Sequence, residues 1–270
     1  MRPLYASASP SSVARVIEGA ELDSIVELAV EAADRARAVT MSLFRDPDLG
    51  VESKTYRSYV TAADKEAELA IRHLIAEERP GDGVIGEEWD DVDSTSGVTW
   101  TLDPIDGTMS FVHGVPGWST LIGIEDEAGP LVGVIDVPAI GQRAVAGRGS
   151  GCKVDGRDAS VSATTDLAEA TILTSGLLDY WTPAALDRVL TSGAIVRTWA
   201  DGGWGYVLLA EGRIDAMADM QLNEWDYAAS LVVVPEAGGA IAVAPDGGVA
   251  TVAASNGHVQ DQLLDTIFGT

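Results

Sequence analysis

The run Val98-Thr-Trp-Thr-Leu102 leads straight into Asp103-Pro-Ile-Asp106-Gly107-Thr108. A short apolar stretch bounded by Pro and Gly reads as a strand, and this one ends in two carboxylates three residues apart. A second apolar pair, Val84-Ile85, runs in the same way into Gly86-Glu87-Glu88. In open α/β sheets, ligands bind outside the carboxyl ends of the strands. Acids gathered on that edge restrict the chain to folds that bring strand ends together. Asp, Pro and Gly are also ordinary turn residues, and Asp-Gly alone often closes a hairpin, so the meaning of the bend depends on its surroundings.

Those surroundings alternate helical and strand periodicities. From Glu21, apolar residues recur at Leu22, Ile25, Val26, Ala29, Val30 and Ala33, the spacing of one buried helix face, and Asp46-Pro-Asp-Leu-Gly50 ends it. Thr61-Ala-Ala-Asp64 predicts a second helix start, a capping box with Asp in place of Glu. Its buried stripe is Ala67, Ala70, Ile71, Leu74 and Ile75, and Arg79-Pro80-Gly81 stops it. Two runs, 118–125 and 131–137, flank a polar segment and predict an antiparallel hairpin. Further strands are expected at 143–146, 171–174, 194–199 and 241–244, and helices at 183–191, 203–211, 225–237 and 258–268. This mixture predicts stacked layers of helices and sheets. Residues 1–20, rich in Ser, Ala and Pro, read as a loosely ordered arm, followed by an N-terminal α/β half at 21–150 and a C-terminal α/β half at 151–270. The Gly-rich segment 147–158 is read as the loop between the halves.

Charge narrows the function. Forty-two acids against seventeen bases leave a net charge of −25 over 270 residues, and after Arg157 the only bases are Arg188, Arg197 and Arg213. Such a surface repels nucleic acid and anionic membranes, which excludes both as partners. It also repels a phosphate ester unless bound cations reverse the local field. The single cysteine, Cys152, excludes an internal disulfide. The first twenty residues lack a continuous apolar signal, and no run of eighteen apolar residues exists, so the expected location is the cytoplasm.

Asp64, Glu87, the Asp103/Asp106 pair and Asp226 of Asn223-Glu-Trp-Asp226 stand at loop positions after apolar runs. Clustered carboxylates repel one another unless hard cations neutralise them, and magnesium takes oxygen ligands from a few carboxylates together with substrate phosphate. No Gly-Lys-Ser/Thr phosphate loop and no His/Cys cluster accompanies the acids. His73 and His258 read as surface or structural residues, and His113 is weighed as a site-lining residue against the same role.

Taken as a set, GEE at 86–88, DPIDGT at 103–108 with Phe111-Val-His-Gly114 behind it, and WDYAA at 225–229 followed by EAGG at 236–239 resemble the inositol monophosphatase family. The similarity runs from about Glu21 to the C-terminus. Within the family, RPGDGVIGEE at 79–88, GVPGW at 114–118, DVPAI at 136–140 and GWGYVLLAEG at 203–212 look closest to the histidinol-phosphate phosphatase branch. Two departures bear on the substrate. Met109-Ser110 follow DPIDGT where that branch usually has Lys or Arg and often Asn. The segment Trp199-Ala-Asp-Gly-Gly-Trp204 is one residue shorter than its counterpart, with the acid displaced.

The resemblance implies a layered αβαβα sandwich, usually a homodimer, that hydrolyses a small phosphorylated metabolite with two or three Mg2+ ions. It places the first ion on Glu87, Asp103 and the Ile105 carbonyl, the second on Asp103, Asp106 and Asp226, and a third near Glu87 through water. Glu87 and Thr108 would activate water, Asp64 would position the threonine hydroxyl, and the amides of Gly107 and Thr108 would bind phosphate. Asp219 matches the position that touches the substrate alcohol, against the alternative of an exposed acid in a polar loop. Asp201 is a looser substrate-binding candidate because of the length change. Trp89, Trp118, Trp199 and Trp204 read as core or dimer contacts. Histidinol phosphate is the expected substrate. Inositol 1-phosphate, another sugar phosphate or a nucleotide phosphate is the alternative, and a non-catalytic sugar-phosphate-binding homologue is a minor one.

Overall fold

The first helix forms because its small and branched residues line one face. In a computed structural model, which describes residues 16–55, 58–177 and 180–269, α1 spans Gly19–Leu43 and buries Leu22, Ile25, Ala29, Ala32, Ala33 and Ala36. Most of the expected arm lies outside the described residues. Its last part does not behave as an arm: Ile17 is buried, and its N–H donates to Asp126 Oδ2 at 3.2 Å. An unforeseen hairpin, β1 (Val51–Thr55) and β2 (Ser58–Thr61), follows. Helix α2, Ala62–Glu78, then starts on the expected capping box, in which Thr61 and Asp64 satisfy each other's backbone N–H.

The two helices cover one face of a seven-stranded sheet. It comprises β3 (Gly83–Gly86), β4 (Thr99–Asp106), β5 (Ser119–Asp126), β6 (Gly129–Val137), β7 (Gln142–Gly147), β8 (Gly151–Val154) and β9 (Arg157–Asp158), hydrogen-bonded in chain order. Only β3 and β4 run parallel; the expected hairpin is β5 and β6. A five-residue helix, α3 (Thr108–Val112), leaves the end of β4. The segment 147–158 is therefore not one loop, because its turns carry the edge strands β8 and β9.

A second sheet has the order β11, β10, β12, β14, β13. Its strands are β10 (Thr171–Leu173), β11 (Ile195–Arg197), β12 (Ala216–Leu222), β13 (Ala240–Asp246) and β14 (Val249–Ser255). Helix α4 (Pro183–Thr191) packs with α8 (Gln260–Phe268), and α8 lies on β14. Helix α5 (Gly202–Ala210) touches β12 as well as β6, while α7 (Ser230–Glu236) touches β13 as well as β6 and β7. The layers are thus α1/α2, large sheet, α5/α7, small sheet, α4/α8, the αβαβα sandwich expected. Trp100, Leu102 and Ile122 fill the first interlayer core, Tyr206, Met217 and Val233 the second, Ile172, Val189 and Leu263 the third.

The helix expected over 225–237 is broken. It forms α6 (Glu224–Tyr227) and α7, separated at Ala228 and Ala229. The reason lies in the sheet beneath. A Cβ at Gly123 of β5 would stand 2.5 Å from Ala228 Cβ, and one at Gly133 of β6 would stand 2.3 Å from the Ala229 carbonyl oxygen. The turn between the helices presses its backbone against these two strands, and that seats α6, which carries Asp226, over β4 and β5.

Gly133→Ala is expected to destabilise the protein by about 1–3 kcal/mol through overpacking. Gly50→Ala, where an added Cβ meets no non-neighbouring atom of the described residues within 4 Å, should stay within about 0.5 kcal/mol of the original. Urea denaturation of both variants checks this, and equal stabilities would refute the close contact.

Candidate active site

Asp103 and Asp106 face the same way because β4 carries an extra residue between them. In a regular strand, residues three apart point to opposite faces. Here Asp103 pairs with Leu121 and Asp106 with Ser119, so three steps on β4 match two on β5. Such a bulge is a place where proline is tolerated. Pro104 occupies it, and its carbonyl accepts Thr120 Oγ at 2.8 Å. Asp103 Oδ1 accepts the Ile105 N–H at 3.0 Å, which closes the bend.

The third acid comes from α6. Asp226 Oδ2 accepts the Asn223 N–H at 2.7 Å in a second capping box. Asp106 Oδ2 accepts Ser119 Oγ at 2.9 Å and the Gly203 N–H, from the first turn of α5, at 2.6 Å. One oxygen from each of Asp103, Asp106 and Asp226 lies within 4.8 Å of the others. Glu87, just past β3, stands outside that triad but close enough for its charge to act on Asp103 and Asp226.

Burial pushes the Asp103 carboxyl well above its ordinary range, and Glu87, Asp106, Asp226 and Asp64 push it further. Asp106 and Asp226 are each raised to about 7, again by burial first. Their backbone hydrogen bonds oppose the shift, while Asp226 and Asp201 press on Asp106 and Glu87 presses on Asp226. Such a donor set, all carboxylate and short of positive charge, fits hard divalent cations.

Gly107 turns the chain from β4 into α3 with a φ of 83°. A side chain is excluded there twice over, by that angle and by Asp201, whose Oδ2 would be 2.7 Å from an added Cβ. Thr108 Oγ lies 3.1 Å from the Ile105 carbonyl and 3.5 Å from Asp64 Oδ1, and its single proton serves one acceptor at a time. Asp64 Oδ2 accepts the Thr61 N–H and hydroxyl. Burial raises the Asp64 carboxyl to about 6 against those two bonds.

The structure therefore gathers Asp64, Glu87, Asp103, Ile105, Asp106, Gly107, Thr108, Asp201 and Asp226 around one strand end. The displaced Asp201 is among them, at the N-cap position of α5, with its carboxyl raised by burial. Asp219 is not an exposed loop acid. It sits on β12 at 1% exposure, and its Oδ1 accepts the Ser175 N–H at 2.7 Å and the Ser175 and Thr174 hydroxyls at 3.0 Å. Its Oδ2 has no hydrogen-bond partner among the described residues. His113 is exposed at the end of α3. Trp118 is core, edge-on to Phe111, and Trp204 is half-buried with its N–H on Gln142, whereas Trp89 and Trp199 are 46% and 59% exposed. Ser119, the Gly203 amide and Asn223 were missed as anchors. Asn223 was legible, since Asn-x-x-Asp repeats the capping pattern of Thr61-x-x-Asp64.

A carboxylate triad, Asp103 buried and Asp106 and Asp226 half-buried, at the strand ends of a five-layer αβαβα sandwich defines a metal-dependent phosphomonoesterase. The sequence profile of the inositol monophosphatase family matches residues 21–268, and the chain belongs to that family. The histidinol-phosphatase of Mycobacterium tuberculosis is 38% identical over 251 residues, covering 88% of this chain and 95% of that protein. That of Streptomyces coelicolor is 39% identical over 256 residues, again covering 88% and 95%. The solved structure of Thermotoga maritima IMPase matches with a TM-score of 0.82 at 26% identity, over 91% of this chain and 97% of that one.

The raised acids set a pH dependence for the metal-free protein. Unfolded, these carboxyls titrate near 3.8; folded, Asp64 holds its proton to about 6 and Asp106 and Asp226 to about 7. Over that window the unfolded chain binds fewer protons, so the contribution of these groups to stability falls as pH rises. Asp103, raised in the same direction by burial, adds to the decline. Urea denaturation in excess chelator across this range is expected to show the fall, and saturating magnesium to flatten it. A chelator-treated protein whose stability rises across the window would contradict the assignment.

Proposed function

We propose that the protein is a magnesium-dependent histidinol-phosphate phosphatase, which hydrolyses L-histidinol phosphate to L-histidinol and phosphate. The observation that carries the chemistry is the Asp103/Asp106/Asp226 triad within 4.8 Å, with Glu87 beside it. In this reading Glu87, Asp103 and the Ile105 carbonyl would hold one Mg2+, Asp103, Asp106 and Asp226 would hold a second, and a third would sit near Glu87. Bound there, the cations supply positive charge to the phosphoryl oxygens, the attacking water and the departing oxygen.

The chain's own groups do the rest. Thr108 Oγ orients the water: its proton points to Asp64 Oδ1, 3.5 Å away, and its lone pairs face the nucleophile. Glu87 takes the water's proton. The Gly107 and Thr108 amides, at the turn into α3, bind a phosphoryl oxygen. Water attacks phosphorus, the phosphorus–oxygen bond of the ester breaks, and the alcohol leaves with a proton from solvent.

Support for the substrate comes from the two relatives named histidinol-phosphatase and from the acids Asp201 and Asp219. Histidinol carries an ammonium and a titratable imidazole, whereas inositol offers only neutral hydroxyls. A charge-assisted contact to such a group is worth about 1.5–3 kcal/mol, on the order of tenfold to a hundredfold in preference. The proposal includes a homodimeric, cytoplasmic protein. No helix among the described residues is long and apolar enough to cross a membrane, and the exposed Trp89 and Trp199 are available to a second subunit.

Two measurements test the reading. Asp103→Asn should cost more activity than Asp64→Asn, because a shared cation ligand is lost in the first and only a supporting hydrogen bond, worth about 10 to 100-fold, in the second. The reverse order, with both proteins folded, would break the assignment of roles. Comparison of kcat/KM for histidinol phosphate and inositol 1-phosphate should favour the former, and Asp201→Asn and Asp219→Asn should narrow the ratio. A protein that prefers the inositol ester, with both variants affecting the two substrates equally, would be an inositol phosphatase.

A further inference from the structure

Helix α2 buries one more carboxylate than its capping box needs. Glu68 lies one turn beyond Asp64, and its side chain is fully buried. An ionised group in that position is costly unless paired, so its partners are informative. Oε1 accepts Arg72 Nε at 2.7 Å, and Oε2 accepts the backbone N–H of Glu88 at 2.8 Å. Arg72 reaches onward, donating from Nη2 to the Trp89 carbonyl at 3.1 Å and from Nη1 to the Asp90 carbonyl at 3.0 Å.

The pair thus grips the backbone just after Glu87. Just before it, β3 ends at Gly86 in contact with the same two side chains: an added Cβ would stand 2.1 Å from Glu68 Oε1 and 2.7 Å from Arg72 Nη2. The Glu87 N–H itself donates to the Leu102 carbonyl, one residue before Asp103, at 3.3 Å. Gly86 is set by shape, Glu87 by β4, and Glu88 to Asp90 by the ion pair.

We infer that the Glu68–Arg72 pair is a positioning device that fixes the backbone on either side of Glu87 and so aims its carboxylate at Asp103 and Asp226. The inference rests on the proposed role of Glu87 as a cation ligand. Helix α2 then serves both flanks of the site, with Asp64 holding the Thr108 side and Glu68, one turn on, holding the Glu87 side.

A merely structural ion pair would register in stability alone, so magnesium affinity must be read separately. The double variant Glu68→Met/Arg72→Met removes the grip without leaving a lone buried charge, a replacement that often preserves stability. Calorimetric titration of Mg2+ into the substrate-free protein, beside its melting temperature, should show a Kd weakened roughly 10 to 100-fold. Turnover should recover at saturating magnesium, since Glu87 itself is intact. Glu68→Gln, which keeps an acceptor for the Glu88 N–H, should fall between the double variant and the original, and it carries the test if the double variant does not fold. Glu87→Gln separates the two levels of the argument. Weakened Mg2+ binding in Glu87→Gln together with unchanged binding in folded Glu68 variants would overturn the positioning role alone. Unchanged binding in Glu87→Gln would overturn the ligand role and the positioning role with it.

Discussion

The mutual repulsion of three carboxylates crowded at one strand end is the constraint to which the rest of this structure answers. Two full charges within 4.8 Å repel by at least about 3.5 kcal/mol at an effective dielectric of about 20. Three such pairs approach roughly 10 kcal/mol, comparable with the whole stability of an ordinary domain. Among the described residues no base relieves this. The chain anchors two of the acids on backbone amides, the distant Gly203 for Asp106 and the neighbouring Asn223 for Asp226, and leaves the charge to be met by protons or cations.

That arrangement explains why the site straddles the layers. Asp103 and Asp106 belong to the large sheet, the Gly203 amide to a helix sandwiched between the sheets, and Asp226 to a helix seated by the glycines of β5 and β6. Each anchor is rigid because it is part of a packed element. The cluster can therefore be held together without its members being bonded to one another.

The parts of this design written in short-range patterns were legible before the fold was known. The capping box at Thr61, the β5/β6 hairpin and the acids at strand ends each need only a few neighbouring residues. Strands β12 and β14 were missed because Ala216 to Ala218 and Val252 to Ser255 are buried without alternation, and a strand covered on both faces shows no period of two. The break at Ala228 was invisible because glycines of β5 and β6, far upstream in the chain, decide it. Glu68 lay hidden in the apolar stripe of α2, where a charged residue reads as a solvated interruption. Asp201 was offset by a length change, and only the turn geometry at Gly107 shows that it still reaches the strand end.

The bulge in β4 sets which parts of this chain can change length. Asp103 and Asp106 share a face only because one extra residue sits between them; inserting or removing a residue there would rotate Asp106 to the opposite side of the sheet. Segment 199–204 obeys no such parity, since Asp201 enters the site from the start of a helix and not from a strand. Gain or loss of a residue ahead of Gly203, whose amide stays on Asp106, slides an acid along the rim of the site without dismantling the cluster. Under the proposed role of Asp201, the choice of leaving group is open to small insertions and deletions, while the distance between the two acids of the bend is not.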